Sequence, residues 1–359
     1  MRPYVRTALI FLLTLGLVAY AFRNVELASV WAETRRADPG LLVLAVLITG
    51  LTYAMRAWRW QSLLAPIGPT HFSTAFRTTV IGFAASFLLP ARAGEVMRPY
   101  LLARREGLNA TSAFATIILE RLLDLATVLL LFAAFVFTAG PDVLTGGPAE
   151  LADIKFWGGL SAAAAVAGLV VLFALAGHPE RLGRAALRVE AVLPTRLAHM
   201  VASFVETFIQ GLAVMRQPAR LLAALAQSFP LWLSIAAGIW LTSRAFHITL
   251  PYPASFLVMT VLVVGVAAPT PGAIGGFHLA YKFAVVTFFG VPPDRAIGAA
   301  TVLHAISFVP VTLLGVFFMM REGLTLAGAR RMAEQGSHAT HDRVDDGPIA
   351  AKPLEKGAQ

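Results

Sequence analysis

The chain of 359 residues is 57% hydrophobic and 14% charged, with a mean hydropathy of +0.72. No soluble domain of this length needs such a composition, so the chain is read as a membrane protein. Its formal net charge of +9 would suggest nucleic acid in a soluble protein. Here the basic residues fall between apolar stretches, where they orient the chain and meet anionic headgroups, so no nucleic-acid partner is expected. Cysteine is absent, which removes disulfides, thiolate metal sites and cysteine nucleophiles.

Stretches free of Asp, Glu, Lys and Arg run Thr7 to Phe22, Pro39 to Met55, Leu125 to Pro141, Phe156 to Pro179, Leu221 to Ser243 and Ala296 to Met320. Most approach the ~20 residues that span ~30 Å of hydrocarbon. The first follows Arg2 and Arg6 and is read as a span rather than a cleaved signal peptide. Arg2 and Arg6 place the N-terminus inside, and the charge-balanced segment from Arg23 to Asp38 suits the outside. Tyr53, Trp58 and Trp60 beside Arg56 and Arg59 read as interfacial anchors.

Thr78 to Ala91 is shorter, at ~14 uncharged residues or about 21 Å of helix. It runs into the break Pro90-Ala-Arg92-Ala-Gly94-Glu95, and the arginines on both of its sides ask for the inside. A re-entrant hairpin entering from the inside resolves that conflict. Ser112 to Phe137 then crosses outward and Phe156 to Gly177 returns. In the basic segment that follows, Leu197, Val201, Phe204, Phe208, Leu212 and Met215 recur at helical spacing, as in an interfacial amphipathic helix.

Leu221 to Arg244 crosses outward again. Ala254 to Ala268 ends in a second break, Pro269-Thr-Pro271-Gly272-Ala-Ile-Gly275-Gly276, read as a hairpin entering from the outside. Ala296 to Met320 brings the C-terminus back inside. The expectation is an all-α polytopic protein of six full spans and two opposed re-entrant hairpins, with an inverted repeat. Residues 1–322 form its membrane domain and 323–359 a disordered cytoplasmic tail, whose His338 and His341 are too isolated for a metal site. Paired interrupted segments of this kind point to a substrate site at the midplane.

Glu120, Arg121 and Asp124 are the costliest residues, at about 2.5–3.5 kcal/mol each for a charge at the centre of a membrane helix. Their spacing of three and four lets them pair on one face, either as a structural staple or as a cation site for a lipid phosphate. Arg92, Glu95 and Arg98 recur at three-residue spacing on the short helix after the first break, where guanidiniums can grip phosphate bidentately. Pro271, Gly272, Gly275 and Gly276 allow close backbone approach and free amides at a helix start. His278 follows them and His304 lies in the last span; each reads either as a hydrogen-bonded core histidine or as a proton relay. No nucleotide-binding, nucleophile-elbow or zinc-protease motif occurs, so no cofactor, metal or ATP-driven pumping is expected of this chain alone.

Taken together, Pro90-x-Arg92-x-Gly94-Glu95-x-x-Arg98, Glu120-Arg121-x-x-Asp124, Pro269-x-Pro271-Gly272-x-x-Gly275 and Phe289-Gly290-Val291 resemble the transmembrane region of lysylphosphatidylglycerol synthases and its stand-alone flippase-like relatives. Arg59-Trp60 also fits, and the likeness covers roughly residues 5 to 320. The resemblance implies lipid translocation across the bacterial inner membrane, with a phospholipid, glycolipid or polyprenyl-linked lipid as cargo and a separately encoded synthase as a partner. The aminoacyl-transferring domain of fused members has no counterpart in the short polar tail. His278 and His304 depart from the family, which tends to carry an acid and an arginine there.

The expectation is therefore a translocator that is not an enzyme. Its alternatives are a non-transporting partner of a synthase, and an integral membrane transferase using Glu95, Glu120 or Asp124 as base.

Overall fold

The computed structural model describes residues 3–23, 25–89, 92–140, 143–145, 147–176, 218–268 and 270–323. The expected amphipathic helix over Leu197 to Met215, the tail beyond Gly323, and Pro90, Ala91 and Pro269 of the breaks lie outside the described residues. Among the described residues the regular structure is helical, in the order α1 Pro3–Ala21, α2 Leu27–Arg36, α3 Pro39–Leu64, α4 Phe72–Leu88, α5 Gly94–Glu106, α6 Ala110–Thr138, α7 Gly147–Ala176, α8 Pro218–Ala245, α9 Ala254–Ala267, α10 Gly276–Phe289 and α11 Pro293–Arg321. The chain is thus an all-α, multi-pass membrane protein.

Local chemistry sets where the long helices start. Asp38 precedes Pro39 at the head of α3, and its Oδ1 accepts from Gly40 N at 2.8 Å and Leu41 N at 3.2 Å. Asn109 caps α6 in the same way, accepting from Ser112 N at 3.1 Å. Among the described residues, five segments are long and apolar enough to cross a membrane: α3, Ala152–Phe173 within α7, α8, Pro271–Phe289 and α11. That set holds four of the six expected full spans: it leaves out Thr7 to Phe22 and Ser112 to Phe137 and adds Pro271–Phe289, which belongs to the second hairpin. The charge-balanced Arg23 to Asp38 segment contains an element that charge counting left out, the helix α2. Its Glu33 Oε2 accepts from Arg295 Nε at 2.7 Å, docking it on the start of α11.

Both Pro/Gly breaks turn a helix back on itself. In the first hairpin α4 packs on α5, and a Cβ on Gly94 would overlap the Gly82 carbonyl oxygen and Ser86. In the second, α9 packs on α10, and a Cβ on Gly276 would overlap the Gly265 carbonyl oxygen. Each hairpin is therefore closed near its tip by a pair of glycines that lets two backbones touch.

Packing is exchanged between the two units. The first arm of hairpin one, α4, lies on α11, which follows hairpin two; the first arm of hairpin two, α9, lies on α6, which follows hairpin one. Between them α3 and α8 run antiparallel, joined by Thr52–Ser234 at 2.8 Å near the middle and by Asp38 N donating to Ala245 O at 2.9 Å at one end. This reciprocal arrangement is what a pair of two-fold-related units produces, and it brings the two hairpin tips together.

Candidate functional site

Where the tips meet there is a cavity of about 1090 Å³. Its walls come from α1, α3, α4, α5, α6, α8, α9, α10, α11 and both breaks. At the rim, Arg92 Nη2 donates to Val266 O at 2.7 Å, tying the first break to the end of α9. Arg92 does so from a left-handed backbone conformation, φ 52°, which a non-glycine residue adopts only where its surroundings hold it.

One wall is a network of charges. Arg98 lies across the face of Trp60, its Cζ 3.9 Å from the ring centroid, and donates through Nη1 and Nη2 to Glu120 Oε1 and Oε2 at 3.0 and 3.2 Å. Arg59, fully buried, donates through Nη1 to Asp124 Oδ1 and to Ser228 Oγ, both at 2.6 Å, and its Nη2 stands 3.6 Å from Glu120 Oε1. Trp232 Nε1 donates to the same Asp124 Oδ1 at 2.8 Å, and Trp60 Nε1 donates to Thr116 Oγ1 at 2.9 Å. Buried charges persist only when paired and hydrogen-bonded, and these contacts supply what the sequence demanded of Glu120 and Asp124.

The other oxygen of Asp124 is different. Its Oδ2 makes no hydrogen bond; Arg56 Nη1 and Arg121 Nη1 each stand 3.7 Å from it, and Arg56 Nη1 has no hydrogen-bond partner either. Arg121 also faces Glu95 at 3.7 Å, as does Arg92. The cluster holds five arginines (56, 59, 92, 98 and 121) against three carboxylates (95, 120 and 124), an excess of two positive charges.

The residues singled out in the sequence divide by position. Arg92, Glu95, Arg98, Arg121 and Asp124 line the cavity, and Arg92, Glu95 and Arg121 are its open members, with side chains 49%, 35% and 40% exposed. Glu120 lies behind the wall, wholly buried. In the second half-site only Pro271 lines the cavity. Gly275 lies against Leu17 and Val18 of α1, and Gly276 against Gly265. His304 Nε2 is 2.7 Å from Gly272 O, and the His304 ring stacks on Phe308 and lies 4.9 Å from that of His278. Among the described residues no group of three or more His, Cys, Asp or Glu side chains could hold a metal ion.

Several lining residues had no sequence signal of their own. Tyr53, Trp58 and Trp60 beside Arg56 and Arg59 read as interfacial anchors; the structure corrects this for Trp60, fully buried like Arg59, and for Tyr53, which lines the cavity with Arg56. Only Trp58, half exposed, keeps the anchor position. The available clue was arithmetic: two acids on one membrane helix require more cation than Arg121 alone provides. Thr49, Thr52, Ser234 and Trp232 line the cavity and were not singled out at all.

Comparison with known proteins agrees with this architecture. The model of the lysylphosphatidylglycerol synthase transmembrane region matches residues 7–315. The chain belongs to this family. It is 24% identical over 360 residues to a protein of Haloferax volcanii named glycosyltransferase AglD, covering 94% of this chain and 57% of that relative. It is 25% identical over 302 residues to a UPF0104 membrane protein of Methanothermobacter thermautotrophicus, covering 79% of this chain and 85% of the relative. A UPF0104 membrane protein of Methanocaldococcus jannaschii is 23% identical over 335 residues, covering 86% and 92%.

These findings overturn one expectation. The sequence was read as that of a protein that is not an enzyme, yet a relative aligned over nearly the whole chain is named for glycosyl transfer, and the family takes its name from a lipid synthase. The expectation is withdrawn. The chain spans only about half the length of that named relative.

Proposed function

We propose that the protein translocates a lipid with an anionic headgroup across its membrane, the headgroup passing through the cavity while the hydrocarbon tails stay in the bilayer. One observation carries this reading: a cavity of about 1090 Å³ lies at the meeting point of two interrupted helical hairpins, with four arginines in its lining and two of them open at its rim. In membrane transporters, broken segments that meet from two related units mark the substrate site, and rocking of one unit against the other exposes it alternately.

On this reading the two hairpins re-enter from opposite faces, Arg92 and Arg121 meet the incoming phosphate, and Arg98 and Arg59 hold the wall in place through Glu120 and Asp124. Both termini face the cytoplasm of a bacterial inner membrane. The cargo is an anionic or glycosylated lipid, and a separately encoded synthase supplies it. The test is a vesicle carrying the purified protein and a headgroup-labelled anionic lipid, with a membrane-impermeant quencher outside. The labelled lipid of the inner leaflet becomes quenchable with the protein and not in protein-free vesicles; equal slow quenching in both refutes the proposal.

A second reading, transfer of a glycosyl group to or from a membrane lipid, draws on the name of the relative aligned over 94% of the chain. Glu95 is the carboxylate it would use, because Glu120 and Asp124 are bound to arginines whereas Glu95 is open to the cavity. Conversion of a lipid substrate in detergent, where no second leaflet exists, separates it from translocation.

A further inference from the structure

Behind the cavity wall lie two histidines that the arginine cluster does not use. His278 on α10 and His304 on α11 do not line the cavity, but their neighbours Phe277 and Phe308 do. The two imidazole rings stand 4.9 Å apart between centroids, enclosed by Phe22 of α1, Phe277 and Phe308, the last stacked on His304 at 4.3 Å. His304 Nε2 is 2.7 Å from Gly272 O. A carbonyl only accepts, so Nε2 carries the hydrogen and Nδ1 keeps its lone pair while the ring is neutral. His278 is 8% exposed, and its Nδ1 is buried with no hydrogen-bond partner. A buried nitrogen left unpaired carries a desolvation cost that an arriving proton or water relieves.

The elements packed around the pair bring it no counter-charge. α9 carries no ionisable side chain, and Tyr20 of α1 is exposed. On α10, Tyr281 is bonded to Ser243, and Lys282 Nζ donates to Ala21 O and Arg23 O at 2.8 and 3.0 Å. On α11, Arg295 pairs with Glu33 of α2, and Asp294 accepts from Glu26 N. Arg77 of α4 lies over Phe318 and Arg244 of α8 over Trp240. From α3, Arg56 and Arg59 belong to the carboxylate cluster, and Tyr53 reaches Ser307 O at 3.4 Å, one turn from His304. Among the described residues no carboxylate bears on either ring. Two imidazoliums this close repel, so the pair has room for one proton and not two. Its link to the fold is the second break itself. Gly272 and Ala273 are both left-handed, φ 58° and 56°, and the alanine has a Cβ, so this turn persists only where its neighbours hold it. The His304 bond to Gly272 O is one of those holds.

We propose, resting on the translocation reading above, that His278 and His304 form a binding site for one proton whose occupancy is tied to the shape of the second break. The pair is neutral while His304 holds Gly272 O inside the aromatic enclosure, where an imidazolium lacks a counter-charge. When the break moves and water enters, the pair takes one proton from that water; when the enclosure closes again, the proton returns to water on the other side. No other bond is made or broken. A proton gradient thereby gives direction to the passage of the headgroup, without nucleotide.

The first arm of the test reads the proton on the purified full-length protein, by NMR of isotope-labelled histidine. The chain has eight histidines, and the single variants His278→Gln and His304→Gln assign the two signals. Between about pH 5 and 8 both move in one shared transition, each by part of the full protonation shift, as for two sites sharing one proton. In each single variant the remaining histidine moves by the full shift. No transition at either ring, or two full and independent ones in the wild type, overturns the inference. The second arm uses vesicles carrying the protein and a headgroup-labelled anionic lipid, with a pH gradient imposed. The wild-type translocation rate changes about fivefold or more, the lower end of a coupling between two sites, and reverts when an ionophore collapses the gradient. In His278→Gln/His304→Gln the rate is the same with and without the gradient. A wild-type rate indifferent to the gradient, or a variant rate that still follows it, overturns the coupling and leaves translocation standing. No translocation by the wild type under either condition refutes the translocation reading and the coupling with it, and the titration alone then decides the proton site.

Discussion

Arg98 and Glu120 meet through two nearly parallel hydrogen bonds of 3.0 and 3.2 Å, both side chains buried, one on the return arm of the first hairpin and one on the long helix after it. This pair fastens hairpin to helix at the level where both line or back the cavity. Removing one partner leaves the other as an uncompensated buried charge, at a cost of about 3–5 kcal/mol. Glu120→Gln and Arg98→Ala therefore lower the thermal midpoint of the purified protein sharply. The double variant Arg98→Met/Glu120→Leu recovers most of that loss, because no charge is stranded. A double variant no more stable than the singles contradicts the assignment.

Glycine contacts make a prediction that does not depend on charge. A Cβ at Gly94 or Gly276 collides with backbone of the opposite arm, whereas one at Gly50 meets nothing within 4 Å. Gly94→Ala and Gly276→Ala each force the hairpin arms apart and destabilise, in the range of overpacked sites at about 1–3 kcal/mol. Gly50→Ala, in a helix interior, is neutral or slightly stabilising. Melting curves of the three variants in one detergent decide it.

At the end of α5, outside the membrane-spanning segments, Glu106 faces His71 Nδ1 at 3.1 Å and accepts from His71 N at 3.4 Å. Burial raises its carboxyl, but hydrogen bonds from Thr74 and His71 outweigh that and hold it below the usual carboxylate value. A depressed folded-state value means the stabilisation is present above the unfolded-state value, about 4.3, and is lost as pH falls through the folded one. His71 is exposed, so screening limits the contribution to about 1 kcal/mol. Glu106→Gln thus lowers the midpoint slightly at pH 7 and not at pH 3. An equal deficit at both values shows that the carboxylate charge is not responsible.

The hairpins were legible in the sequence because a break in an apolar helix exposes backbone that lipid cannot satisfy, and Pro and Gly at Pro90, Gly94, Pro271 and Gly275 announce it. Charge spacing within α6 was legible for the same reason: Arg121 and Asp124, three apart, had to find partners. The cation side of the cluster was hidden. Arg56, Arg59 and Trp60 stand near the end of an apolar helix, where arginine and tryptophan usually anchor to the interface. Their burial depends on contact with Asp124, 65 positions later in the case of Arg59, and on Trp232 and Ser228 of α8. Local pattern carries no trace of such pairings.

Arg92 and Arg121 are the open arginines of the cavity, and neither makes a close ion pair; their contacts to carboxylates are 3.7 Å. They bear on ligand more than on fold, so Arg121→Gln and Arg92→Gln leave the thermal midpoint within about 1 kcal/mol of wild type. The measurement that tests the central claim most directly is lipid translocation by these two variants, reconstituted at equal density with the wild-type protein. A translocation rate at least tenfold below wild type in both, with unchanged melting behaviour, is the result this account predicts. Wild-type rates in both variants would contradict it.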